Sequence, residues 1–169
     1  VGLLHALYAL EGVEVSPERL AREACEIEIE ILGQTIGKQD QYAAAYGGVN
    51  QIAFNPDESV TVSPLSLHED TLNSLASAFC LVWTGISRKA TPILEIQASN
   101  TADRMEQLVA MRNQANSVAN ALLESEFTEI GELLGNAWEL KRSLADGIAN
   151  PEIDDLYEKL MNLGCTGGK

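Results

Sequence analysis

The spacing of apolar and polar positions divides the chain into a helical opening, a β-rich middle and a long helical remainder. Gly2 to Leu10 is apolar at nearly every position and reads as a helix with no capping residue before it. Ser16-Pro17-Glu18 supplies an N-cap, a proline at the first helical position and an acidic first turn. The pattern predicts a helix from Pro17 to Leu32 ended by Gly33, then a short helix from Gly37 to Tyr46 closed by Gly47-Gly48. Val49–Phe54 and Val60–Leu65 are β-rich runs around Asn55-Pro56-Asp57-Glu58, a pattern that predicts a hairpin. Polar Ser66–Asp70, after Pro64, reads as a linker or a domain junction. A helix through Leu72 and Leu75 leads into Phe79-Cys80-Leu81-Val82-Trp83, read as a buried strand ending at Thr84-Gly85. From Lys89 the pattern is helical: Thr91–Ala98, Ala102–Leu123, Phe127–Ile148 and Glu152–Leu163.

Projection at about 100° per residue picks out charges that fall on apolar faces. On the second helix Leu20, Ala21, Ala24, Ile27, Ile31 and Leu32 gather on one side, and Glu28 falls inside that arc. A carboxylate so placed needs a partner, because burying an uncompensated charge costs several kcal/mol. A metal ion, a structural salt bridge and a rim position all satisfy the pattern. Asp40 shares a face with Ile36, Ala43, Ala44 and Gly47, where small side chains leave room for a ligand; the alternative is an acidic first-turn residue favoured by the helix dipole. Arg112 and Asn116 lie among Met105, Leu108, Val109, Ala119 and Leu123, and Lys141 among Ile130, Leu134, Ala137, Leu144 and Ile148. These inward cations serve either a substrate phosphate or glutamates of neighbouring helices. Arg88 and Lys89, at a helix start after Gly85-Ile86-Ser87, are placed either for an anion or as plain surface charge.

Composition narrows the function classes. The 169 residues are 46% apolar, enough for a real core, and 25 acidic against 11 basic residues give a net charge of −14. Such a charge repels polyanions, so neither nucleic acid nor an anionic membrane surface is expected as a partner. The longest apolar stretch, Val1 to Leu10, is about half of a bilayer span. Three cysteines without C-x-x-C spacing and two histidines argue against a zinc site and a disulfide framework, and point to a reducing cytoplasm. The uncapped start at Val1 and the glycine run Gly164, Gly167-Gly168 at the other end are expected of a piece of a longer protein.

The segment Ile36-Gly37-Lys38-Gln39-Asp40-Gln41-Tyr42, followed by Ala43-Ala44-Ala45-Tyr46-Gly47-Gly48, resembles the Gly-x-x-Asp-Gln segment of the GHMP kinases. Glu26-Ile27-Glu28-Ile29-Glu30 before it, Trp83-Thr84-Gly85-Ile86-Ser87-Arg88 after it, Ala137–Arg142 and Gly147–Asp154 look most like the branch that phosphorylates heptose 7-phosphates at C1. The resemblance implies a helix-rich α+β fold: residues 1–66 as part of a domain like the second domain of ribosomal protein S5, residues 67–169 as a ferredoxin-like domain with extra helices. It implies ATP and Mg²⁺ as cofactors and a sugar or sugar phosphate as substrate, in bacterial nucleotide-sugar and surface-glycan synthesis, and it admits a homodimer. Asp40 maps onto the catalytic base and Glu28 onto the Mg²⁺ ligand. The substrate's phosphate falls to Arg88, Ser87 and Gly85, with Lys141 and Arg112.

The family's phosphate-cradling Gly-Leu-Gly-Ser-Ser loop is expected immediately before Val1, and a second glycine-rich loop after Lys169. The nucleotide phosphates are therefore expected to be held outside these 169 residues. Two other readings stand beside the heptose kinase: a non-catalytic helical fragment without a nucleotide site, and a sibling kinase for an unphosphorylated sugar such as fucose or galactose.

Overall fold

The computed structural model describes residues 1–85 and 91–169, which form two compact units, Val1–Leu65 and Ser66–Lys169. In the first unit, α1 (Gly2–Leu10) is followed by α2 (Pro17–Cys25), which runs directly into a π-helical turn over Glu26–Ile31. Ser16 caps α2 by accepting the Arg19 backbone N–H at 3.3 Å, with Pro17 at the first helical position. α3 (Gln39–Tyr46) stops at Gly47, whose φ of 63° is the left-handed conformation that glycine adopts without strain. β1 (Asn50–Phe54) and β2 (Val60–Pro64) form the expected antiparallel hairpin, with Ile52 opposite Val62 and Phe54 opposite Val60. Asp57 accepts both the hydroxyl and the backbone N–H of Ser59 and fixes the turn.

Ala21 and Cys25 of α2 and Tyr42 of α3 are buried together, with Ile29, Ala45, Tyr46, Ile52, Val60 and Val62 packed around them. The period of two puts Ile52 and Phe54 on the same face of β1, and Phe54 meets the Tyr42 ring edge-on at 6.1 Å. The apolar arc expected along residues 20–32 is therefore half right. Leu20, Ala21, Ala24 and Cys25 are buried, but Ile27, Ile31 and Leu32 are exposed. The π-helical turn begins at Glu26, and its wider winding carries the later residues off the 100° projection.

The second unit contains α4 (Glu69–Ala78), α5 (Thr91–Ser99), α6 (Met105–Glu124), α7 (Phe127–Arg142) and α8 (Pro151–Asn162). α6 packs on α7 through a tight turn in which Ser125 takes a φ of 62°. Trp138, Leu144, Ala145 and Ile148 form the buried centre, contacted by Ile93, Leu108, Met111, Ile153 and Tyr157. Asn150 caps α8 by accepting the Ile153 N–H at 2.9 Å, with Pro151 following it. The strand expected over Phe79–Trp83 does not form. These residues have no ladder partner among the described residues, and Phe79, Leu81, Val82 and Trp83 are all exposed. A β-rich run gains its stability only from a neighbouring strand and a covered face. No described helix is long and apolar enough to cross a membrane.

Candidate functional site

The π-helical turn and the start of α3 are joined by a part-buried side-chain hydrogen bond. The Gln41 side-chain N–H donates to Glu28 Oε2 at 2.6 Å. Glu28 is half-buried, while Gln41 is only 4% exposed and neighbours the buried Tyr42. The partner that the sequence required for Glu28 is thus a neutral amide. Among the described residues no cation pairs with either Glu28 or Asp40. An amide donor satisfies one carboxylate oxygen without neutralising the charge, so Glu28 keeps its capacity to attract a cation.

Asp40, the residue before Gln41, occupies the first turn of α3 and is exposed. Lys38 at the start of α3 and Glu28 both act on Cys25. Burial pushes the Cys25 thiol up, Lys38 pulls it down and Glu28 pushes it up again. Burial likewise raises the Tyr42 phenol. Glu28, Lys38, Cys25, Gln41 and Tyr42 therefore form one neighbourhood, with Asp40 at its open edge.

A single half-buried carboxylate fits Mg²⁺ in the mode in which the ion is held by one or two carboxylates and by substrate phosphates, keeping several waters. It does not make a closed protein cage, and among the described residues no group of three His, Cys, Asp or Glu side chains converges.

The remaining expected site residues lie in the second unit. Gly85 is exposed, with a φ of 76°. Ser87 and Arg88, with Lys89, lie outside the described residues. Lys141 is half-buried in the last turn of α7. The inward placement expected of Arg112 is not observed: its side chain is exposed and its guanidinium donates to Asn113 Oδ1 at 3.0 Å. The half-buried seam of α6 runs through Gln107, Met111, Gln114 and Val118 to buried Leu122, one position round from the stripe drawn through apolar residues alone. Two glutamines on that seam hide it from a hydrophobic projection. Gln41 was missed as a site residue for a related reason: a buried amide carries no charge to flag it, although it stands inside the Gly-x-x-Asp-Gln segment.

Residues 1–48, which include α1 to α3 and the whole Glu28–Gln41 neighbourhood, match the family model of the GHMP kinase N-terminal domain. Over these residues the chain is thus similar to the N-terminal domain of GHMP kinases. It is 30% identical over its entire length to D-glycero-α-D-manno-heptose 7-phosphate kinase of Campylobacter jejuni, of which it covers 50%. It is 25% identical over 92% of its length to the bifunctional fucokinase/GDP-fucose pyrophosphorylase of Arabidopsis thaliana, covering 15% of that protein. The crystal structure of a D-glycero-D-manno-heptose 1-phosphate kinase from Bacteroides thetaiotaomicron superposes on 98% of the chain with a TM-score of 0.71 at 26% identity, and the chain covers 45% of it. The chain thus spans half or less of each of these relatives.

Proposed function

We propose that the protein containing this chain transfers the γ-phosphoryl group of ATP to the anomeric hydroxyl of a heptose 7-phosphate. The observation that carries this reading is the contact between Glu28 and Gln41, which ties a charged, unneutralised carboxylate to the helix turn that bears Asp40. Asp40 accepts the proton of the sugar hydroxyl as its oxygen attacks the γ-phosphorus, and the bond from phosphorus to the ADP oxygen breaks. Its exposed position on α3 gives substrate direct access. Glu28 would hold Mg²⁺, which when bound neutralises phosphate oxygens, and phosphoryl transfer depends mainly on such positioning and charge compensation. Ser87, Arg88 and Gly85, with Lys141, are assigned to the sugar's existing phosphate. Exposed Arg112 takes part only from the surface.

The two halves are assigned to the partial S5-like domain, residues 1–66, and the ferredoxin-like domain, residues 67–169, of a cytoplasmic enzyme supplying nucleotide-sugar and surface-glycan synthesis. The similarity to heptose phosphate kinases supports the phosphorylated substrate, and the similarity to a fucokinase supports an unphosphorylated sugar as the second reading.

Replacement of Asp40 by Asn in the complete protein is expected to lower kcat by about 10²- to 10⁴-fold, the range of a general base, with ATP affinity preserved. Turnover within a few-fold of wild type overturns the assignment. Competition between sugars with and without a 7-phosphate, in wild type and Arg88→Ala, separates the two substrate readings. A phosphate-dependent preference lost in the variant supports the heptose phosphate, and no preference in wild type supports the sibling kinase.

A further inference from the structure

We propose that Gln41 is a positioning residue, which orients the Glu28 carboxylate for a divalent cation without touching the cation itself; this rests on the kinase reading of Glu28. Three observations carry it. Gln41 is a polar side chain held at 4% exposure beside buried Tyr42 in sequence, a place where an apolar residue would pack at lower desolvation cost. Its N–H reaches Glu28 Oε2 at 2.6 Å, in the short range of hydrogen bonds to an ionised acceptor. Its own carbonyl oxygen, Oε1, is buried and has no hydrogen-bond partner among the described residues.

The unpaired oxygen is informative only together with the contact made by the other end of the same amide, because an unsatisfied buried acceptor is costly and Gln107 and Gln114 of α6 carry that cost too. Turning the amide over would set Oε1 against the carboxylate, oxygen to oxygen. The orientation is therefore dictated by Glu28, at the expense of the amide's own acceptor. The contact also spans two elements. Glu28 lies on a π-helical turn, whose winding is irregular, and Gln41 on the regular helix α3 packed against α2. A carboxylate on such a turn has rotamers to choose among, and the N–H from α3 selects one. Residues outside the ligand set that fix a ligand's orientation commonly change metal affinity by 10- to 100-fold when removed.

The test is a double-mutant cycle in the complete protein, using Gln41→Met, which keeps length and removes the donor, with Glu28→Gln and the double variant. The affinity for Mn²⁺ in the presence of a non-hydrolysable ATP analogue is read by electron paramagnetic resonance, alongside the KM for sugar and the melting temperature. Gln41→Met is expected to weaken Mn²⁺ binding about tenfold or more while the sugar KM changes less than about twofold. In the Glu28→Gln background the same substitution is expected to have no further effect, because its influence passes through Glu28. Should Gln41→Met fail to fold, Gln41→Asn, with the amide drawn back by one methylene, is measured in its place. Unchanged Mn²⁺ affinity in a folded Gln41 variant, or equal losses in both backgrounds, overturns the positioning role. Unchanged affinity in Glu28→Gln alone overturns the metal reading of Glu28 itself, so the two failures are told apart.

Discussion

At the scale of single residues, the tightest constraint in the second unit is a backbone crossing made of glycines. A Cβ added at Gly167 would stand 1.8 Å from the Gly131 carbonyl oxygen and 2.9 Å from the Gly135 amide nitrogen, both backbone atoms of α7. Neither can swing aside without moving the helix. At Gly168 the nearest atom would be Tyr157 Cε2 at 3.7 Å, an ordinary contact. Gly167→Ala is therefore expected to destabilise by about 1–3 kcal/mol or more, the range for overpacking. Gly168→Ala is expected to change stability by less than about 0.5 kcal/mol. Urea denaturation of the two variants checks the contrast, and equal stabilities would mean that the C-terminal segment does not lie on α7. The glycine pair was visible in the sequence only as a glycine run; what it lies against is a tertiary fact.

At the scale of elements, the legible features are those whose cause is local. Ser16-Pro17 starts α2, Asn150-Pro151 starts α8, and the Asn55–Glu58 turn closes the hairpin, each through contacts within about four residues. The failures are elements whose fate is set elsewhere. Phe79–Trp83 has the composition of a strand but nothing described pairs with it, and Glu26–Ile31 alternates charge and isoleucine in a way that hides a π-helical winding. The site divides the same way. Glu28 and Asp40 were visible as carboxylates on small or apolar faces, whereas the Gln41 contact and the outward turn of Arg112 depended on packing. Between elements, α1 is fastened to α2 by a three-member link: Tyr8 donates its hydroxyl to Glu23, Arg19 donates to Glu23 at 2.7 Å, and Arg19 lies 5.0 Å over the Tyr8 ring. The hydroxyl and the guanidinium hold the Glu23 carboxyl below its ordinary value of 4.5. A depressed folded-state value means that the link contributes fully above the unfolded carboxyl's range and is lost as pH falls through the folded one. Wild type is thus expected to exceed Glu23→Gln in melting temperature by a constant margin above about pH 5. The margin is expected to narrow steadily below about pH 4. A margin independent of pH would assign the link no ionic character.

At the scale of the whole molecule, charge and extent together set where a nucleotide can bind. A chain of −14 gives no general attraction to ATP, so on the proposed kinase reading the phosphates would be met by local donors and by a divalent ion. On the proposed reading Glu28 would supply one ligand to such an ion and repel bare phosphate. A cleft of about 490 Å³ beside His5, Ala9, Gly12, Val13, Glu14 and Val15 includes neither Glu28 nor Asp40 in its walls. The relatives that match the chain throughout are about twice its length, and the family resemblance leads us to expect the phosphate-binding backbone outside residues 1–169. ATP with Mg²⁺ is therefore expected to raise the melting temperature of the complete protein, by about 2.7 kcal/mol of stabilisation at a hundredfold excess over Kd, and to do little when the ion is chelated. The 169-residue chain alone is expected to show no shift under the same titration. A shift of several degrees in the isolated chain would instead locate the nucleotide's phosphates on these residues, and would move the search for their donors to the backbone of α1 to α3.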